Sequence, residues 1–362
     1  MSRGTIARIN MGAANHNLAV IQKNCPDAKI WAVVKANAYG HGATSFAPKL
    51  KHCHGFAVAT LNEALALRQS GIHKPILLLE GCLNVKQTKV ALENKCSLVL
   101  HNIEQIEDLE KLTQNLAFNQ ISDRTIWLKV DTGMHRLGLP IDQLQISYDR
   151  ITKLSWVKQV GVMSHFSCAD DSENTFTDLQ IKRLKQALPS DCTLVSMANS
   201  AGIFNYSESI CDWVRPGIAL YGASAILNKS AESLGLLPVM ELTAPIIAIR
   251  QVEKGESTGY GNIWTATKPT KIATVAIGYG DGYPRTCLQG TPVFVNQTRA
   301  ELIGRVSMDL ITIDVTDIDV KLYDTVQLWG KDISVDEVAS HCGTIGYELL
   351  TRITSRVQYI YE

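Results

Sequence analysis

The chain has no charge of either sign to spare. Its 35 Lys and Arg balance 35 Asp and Glu over 362 residues. A nucleic-acid surface or a patch that coats acidic membrane needs a basic excess, so neither partner is expected. Long apolar runs are missing too. No segment reaches the roughly 18 apolar residues that a membrane-spanning helix needs. Met1 to Asn10 carries basic residues but no apolar stretch of signal-peptide length. Nine cysteines lie at positions 25, 53, 82, 96, 168, 192, 211, 287 and 342, and none forms a C-x-x-C pair. That disfavours zinc-ligand spacing and a redox dithiol. An odd count in a long chain fits free thiols in a reducing compartment. The expectation is a cytoplasmic protein without a metal site.

What is present is a two-part grammar. Short apolar runs occur at Lys29 to Val34, Gly55 to Ala59, Pro75 to Leu79, Ser97 to Leu100, Thr125 to Val130, Val157 to Met163, Cys192 to Ser196 and Asp212 to Val214. Helical stretches separate them. Thr60-Leu61-Asn62-Glu63 is a capping box, Gly71 suits a helix C-terminus, and Asn102 opens a helical stretch ending near Ala117. Eight strands alternating with helices predict a (β/α)8 barrel, with a doubly wound open sheet as the structural rival. Beyond Leu227 the pattern becomes strand-like, at Leu242 to Arg250, Lys271 to Ile277, Thr291 to Val295, Glu301 to Ile303, Leu310 to Val315, Thr325 to Leu328 and Arg356 to Tyr361. One short helix, Ser334 to His341, is announced by a second capping box. The expected division is a barrel over 8–230 and a mainly β domain over 231–362, with residues 1–7 pairing with the latter.

Barrel chemistry sits where strands end at their C-termini. Lys35 closes the first apolar run. A lysine there is costly unless paired or neutral, and a neutral lysine can form an imine with an aldehyde. A snorkelling strand-end lysine is an equal alternative on this segment by itself. Asp131-Thr132-Gly133 invites an Asx-type turn, and Arg136 beyond it could clamp a carboxylate. Ala198-Asn199-Ser200-Ala201-Gly202 could open a helix whose N–H groups take a phosphate. Arg215, before Pro216-Gly217, ends the last strand.

Taken together, these segments resemble the alanine racemase family of fold-type III pyridoxal-phosphate (PLP) enzymes. The resemblance runs through Val33-Val34-Lys35-Ala36-Asn37-Ala38-Tyr39-Gly40, Asp131 to Gly138, Ser164-His165-Phe166, Ala198 to Ala201 and Val214 to Gly217. It continues in Gly259-Tyr260-Gly261, Ile277 to Arg285, Gly304 to Asp309 and Gly346-Tyr347-Glu348.

The resemblance implies that Lys35 carries the cofactor and acts as one acid–base group. Tyr260 from a partner subunit would be the other, aided by His165 and Arg215. Arg215 would face the pyridine nitrogen. Ser200, the N–H groups near Gly217 and Ile218, Tyr39 and Tyr347 would take the phosphate, with Asn199 beside them. Arg136 would orient the substrate carboxylate, and Lys129 matches a position that carries a carbamate in many relatives. Met308 and Asp309 would line the substrate side, with Tyr279 and Arg285 near the entrance. Some relatives have a histidine where Ser196 stands, which weakens the support expected for Arg215. The resemblance further implies a homodimer with shared sites. It leaves open a role in cell-wall D-alanine supply or in alanine catabolism. Rival readings are a serine or broad-specificity racemase, a PLP carrier lacking the β domain, a decarboxylase of the same fold type, and an aldolase-type imine lysine.

Overall fold

A computed structural model of the chain describes residues 3–114 and 124–362. Two compact units divide it. One comprises 17–220 with 225–229, and the other the segment to His16 with 221–224 and 230–362.

The N-terminal strand β1 (Ile6–Ile9) belongs to the second unit. Eight parallel strands close the barrel of the first. They are β2 (Lys29–Val33), β3 (Gly55–Val58), β4 (Ile76–Leu78), β5 (Cys96–Leu100), β6 (Arg124–Lys129), β7 (Val157–Met163), β8 (Val195–Asn199) and β9 (Trp213–Arg215). Closure comes where β9 pairs with β2, Lys29 opposite Trp213 and Ile30 opposite Val214. Strands covered on both faces read as unbroken apolar runs, as β3 and β4 do with every residue buried. Gly55 opens β3 because Trp31 of β2 lies over it. A Cβ there would stand 2.2 Å from the indole ring.

The loops at the strands' C-terminal ends are fixed by capping. Thr60 accepts from Glu63 N–H and the capping box is complete. Gly71, with φ of 87°, follows that helix. Asn84 accepts from Gln87 N–H, and Asn102 caps the helix Ile103–Thr113. The expected end of that stretch near Ala117 lies outside the described residues.

In the second unit the strands are β10 (Met240–Val252), β11 (Ser257–Thr258), β12 (Trp264–Thr265), β13 (Thr270–Val275), β14 (Pro292–Val295), β15 (Thr298–Ile303), β16 (Ile311–Asp314), β17 (Thr325–Trp329) and β18 (Gln358–Tyr361). The sheet runs β13-β16-β15-β14-β17-β10-β1-β18, and β10 also pairs with β13. Long β10 thus closes six strands into a ring, while β1 lies antiparallel to it and parallel to β18.

The fold class matches expectation, with four corrections of detail. The seventh barrel strand runs Val195–Asn199 rather than Cys192 to Ser196, so Asn199 closes it. The capped helix at Ser334 is not the one helix of its unit, since Gly346–Thr351 is also helical. The hairpin of β11 and β12 is additional. The cysteines are not all free: Cys287 and Cys342 are disulfide-bonded, and the other seven are thiols. Leu288 N–H donating to His341 O and Thr286 Oγ1 to Cys342 O bring those segments together.

Candidate active site

Lys35 stands where β2 ends, at the head of a short turn, Lys35–Tyr39. The turn is left-handed. Ala36, Asn37, Ala38 and Tyr39 have φ of 50°, 55°, 55° and 49°. For L-residues this costs roughly 1–2 kcal/mol each. A run of four persists only when its surroundings hold it. The buried His41 ring does part of this, with Nδ1 3.1 Å from Ala38 O and 3.0 Å from Tyr39 O. Burial lowers the His41 pKa to about 4, so the ring is neutral at pH 7, and two carbonyl acceptors place its proton on Nδ1. Gly40 and Gly42, also at positive φ, return the chain to the next helix.

Lys35, Lys129, Arg136 and Arg215 form a cationic group at the ends of β2, β6 and β9 and the loop after β6. Burial lowers the Lys129 pKa to about 8, helped by Arg215, Arg136 and Lys35 and opposed by Glu80. The His165 ring is pushed well down by burial and by the same four cations. Arg136 is exposed on a loop built as expected. Asp131 Oδ1 accepts from Gly133 N–H at 2.8 Å and from His135 N–H at 3.1 Å.

Arg215 is buried, and burial lowers its pKa to about 10, which leaves it protonated at neutrality. Its Nη1 donates to Ser196 Oγ at 2.5 Å, and its Nη2 donates to Ser164 O at 2.5 Å and Met197 O at 3.1 Å. Ser196 Oγ donates onward to Trp213 O at 2.8 Å. The expected weakness at Ser196 is therefore corrected, because a hydroxyl accepts from the guanidinium directly.

Of the expected phosphate residues, those of the barrel lie together. Ser200 Oγ accepts from Gly217 N–H at 2.9 Å and Ala219 N–H at 3.3 Å. Tyr39 is buried, which raises its pKa to about 12, and its hydroxyl closes on Gly217. A Cβ on Gly217 would stand 2.6 Å from Tyr39 Oη. Ile218 follows in a buried turn. Asn199 caps the helix Ser200–Asn205 by accepting from Gly202 N–H at 2.9 Å. The arrangement fits an anionic aldehyde cofactor, with a lysine at a strand end, a glycine that lets the Tyr39 hydroxyl close beside Ser200, and surplus positive charge.

The remaining residues lie in the second unit. Tyr260 is 71 % exposed between Gly259 and Gly261, both at positive φ. Tyr279 N–H donates to Ser307 O at 3.0 Å and Gly280 N–H to Met308 O at 2.8 Å, which sets Tyr279 beside the exposed Met308. Asp309 Oδ1 accepts from Arg356 at 2.5 Å and from Arg3 at 3.1 Å. Arg285 is exposed, and Tyr347 sits on the helix Gly346–Thr351.

Sequence reasoning missed the frame behind the cations. Gln180 Nε2 donates to Thr132 Oγ1 at 3.1 Å and to His165 O at 3.0 Å. Arg183 donates to Thr132 O at 2.9 Å. Both lie on the helix Phe176–Ala187, where polar residues read as solvent-facing and carry no signal. Among the described residues no group of His, Cys, Asp and Glu could hold a metal, and no helix is long and apolar enough to cross a membrane.

Comparison with known proteins agrees along the chain. Residues 9–225 match the model of the alanine racemase N-terminal domain, and 239–361 that of the alanine racemase C-terminal domain. An alanine racemase of Shewanella piezotolerans is 45 % identical over 356 residues, covering 97 % of each chain. The biosynthetic alanine racemase of Pseudomonas aeruginosa superposes with a TM-score of 0.94 at 42 % identity, covering 99 % of each chain. The alanine racemase of Bartonella henselae, solved with covalently bound pyridoxal phosphate, gives 0.89 at 32 %, again covering 99 % of each.

Proposed function

The chain belongs to the alanine racemase family, and from that premise we propose that it interconverts L- and D-alanine with PLP bound at the C-terminal ends of its barrel strands. The observation that carries the reading is the surplus of cations. Lys35, Lys129, Arg136 and Arg215 lie within electrostatic reach of the same His165 ring, and at Lys129 the pull of Glu80 ranks below the push of the other three cations. Such a group is stable when anions complete it, and the cofactor phosphate and the substrate carboxylate are anions. Relatives at 45 % identity favour alanine over serine or a broad range.

When bound, the cofactor supplies an electron sink that makes the Cα–H bond of alanine acidic. The protein's part is to hold it and to move protons. Lys35 would carry it covalently. Ser200, the N–H groups of Gly217 and Ile218, Tyr39 and Tyr347 would take the phosphate, while Asn199 shapes the helix start. Arg215 would donate to the ring nitrogen. At a pKa of about 10 Arg215 keeps its proton at pH 7, so it would donate a hydrogen bond there without giving up a proton, which would favour return of the proton to Cα over transamination. Arg136 would orient the substrate carboxylate.

Racemisation needs acid–base groups on opposite faces of Cα. Lys35 Nζ would serve one face and the hydroxyl of Tyr260 of the partner subunit the other. His165 would pass the influence of Arg215 to that tyrosine and favour its phenolate. Lys129 would react with carbon dioxide, its amine nitrogen bonding to carbon and releasing a proton to water. The resulting anion would hold Arg136, and a pKa lowered to about 8 raises the neutral fraction that reacts.

Met308 and Asp309 would line the substrate side of the partner's site, with Tyr279 and Arg285 near its entrance. Tyr260, Ile263, Leu288, Met308 and Ile345 are large apolar groups left exposed in this unit, which supports a head-to-tail homodimer. We place the enzyme in the cytoplasm. Formation of D-alanine from L-alanine by the PLP-loaded protein tests the reading, and a folded, loaded protein that forms none overturns it.

A further inference from the structure

The left-handed turn after Lys35 is tied to the next loop of the barrel. The N–H of Ala36 belongs to the peptide that joins it to Lys35. Whatever fixes that N–H fixes the peptide plane through which Lys35 is attached. It donates to Glu63 Oε1 at 2.7 Å. The second oxygen, Oε2, accepts from Ala59 N–H at 2.9 Å and Thr60 N–H at 3.0 Å. A glutamate at this helix position ordinarily closes a capping box by taking the N–H of the capping residue. Here the Ala36 N–H is an additional one, and it comes from a different loop, the one that follows β2 rather than β3.

We propose that Glu63 is a positioning residue for Lys35 and Tyr39, holding the Lys35–Ala36 peptide plane and with it the left-handed turn. The proposal rests on Lys35 carrying the cofactor. A carboxylate suits the place because it only accepts, with lone pairs enough for three donors. Asn37 and His41 brace the turn from within. Asn37 Oδ1 accepts from Ala43 N–H at 2.9 Å, and the His41 ring faces the carbonyls of residues 38 and 39. Glu63 fixes its start, at the peptide on the C-terminal side of Lys35. Glutamine offers a single acceptor oxygen, so Glu63→Gln must turn an NH2 group toward either Ala36 N–H or the Ala59 and Thr60 pair. Aspartate keeps the charge and gives up reach.

The test compares PLP-loaded wild type with Glu63→Gln, Glu63→Asp and Thr60→Ala. Thr60→Ala removes the capping hydroxyl and leaves the Ala36 contact intact. For Glu63→Gln, kcat falls by roughly 10- to 100-fold, the scale expected for a slightly misplaced catalytic group. KM for alanine changes little. The visible absorbance band of the lysine-bound cofactor, and its pH midpoint, shift. Glu63→Asp recovers part of the loss. Thr60→Ala melts earlier but keeps kcat, KM and the absorbance midpoint. Wild-type kcat and absorbance in Glu63→Gln overturn the proposal, as does an equal kcat loss in Thr60→Ala. If Glu63→Gln yields no folded protein, Glu63→Asp carries the same comparison, with wild-type behaviour again overturning it. A wild type that binds PLP but does not racemise refutes the reading beneath the proposal, and the absorbance comparison then still decides on Glu63.

Discussion

Gly217→Ala places a methyl group where the barrel has no room. Its Cβ would lie 2.6 Å from Tyr39 Oη, 3.2 Å from Cζ and 3.8 Å from Cε1. Gly217 does not have positive φ, so the effect is steric rather than conformational. The tyrosine is poorly placed to yield, being buried and seated on a turn at φ of 49°. Forced overpacking of this kind costs typically about 1–3 kcal/mol. Gly217 N–H also donates to Ser200 Oγ at 2.9 Å, so a shift of either chain disturbs the proposed phosphate cradle. Losing one hydrogen bond to a charged phosphate costs about 1.5–3 kcal/mol. Cofactor affinity should then fall roughly 10- to 100-fold, at tenfold per 1.4 kcal/mol. The assay is titration of cofactor-free protein with PLP, read by absorbance, with circular dichroism to check folding. A folded variant that binds PLP as tightly as wild type would refute the placement of Tyr39 and Gly217 at the phosphate.

Acid should weaken the fold between pH 6.5 and about 4 through His41, whose pKa is lowered to about 4 by burial. The unfolded ring takes its proton from pH 6.5 downward while the folded ring resists. Stability is therefore lost as pH falls, by about 3 kcal/mol for this group at full extent. Urea midpoints across that range should fall less steeply in His41→Asn, and identical slopes would contradict it. For Lys129, the intact mass under gentle native conditions should gain one carbon dioxide when bicarbonate is added, and an unchanged mass would remove the carbamate from the account. Mixing inactive Lys35→Ala with inactive Tyr260→Phe should restore activity through mixed dimers that hold one complete site. No recovery after subunit exchange would argue against sites shared between chains.

Which features were readable from residues alone follows from their physics. Ile30–Val33 is legible because a strand segment covered on both faces must be apolar. Thr60, Asn102 and Ser334 are legible because a helix start needs a side-chain acceptor. The strand Val195–Asn199 was misplaced because its Ser-Met-Ala-Asn end is half polar, and its pairing with β9 shifts register. Residues 1–7 were expected to pair with the C-terminal unit, but the span Ile6–Ile9 and its partners were not legible, because Ile-Ala-Arg-Ile forms a strand only through β10 and β18, far along the chain. In the site, Lys35, Arg136 and Arg215 stood out as polar groups ending apolar runs. The left-handed turn did not, since Ala-Asn-Ala-Tyr carries no mark of it and long-range contacts impose it. The third N–H on Glu63 was equally invisible, because the capping box already accounts for a glutamate there. Neither could the sequence pair Cys287 with Cys342, which stand 55 residues apart.

The central claim is that Lys35 and Tyr260 move a proton at Cα of alanine. The most direct measurement is incubation of the PLP-loaded protein with L-alanine in deuterated water, following D-alanine and Cα deuterium together. The account predicts D-alanine carrying deuterium at Cα from the wild type and neither product from Lys35→Ala. Wild-type protein that binds PLP yet forms no D-alanine, or Lys35→Ala that forms it as fast, would contradict the account.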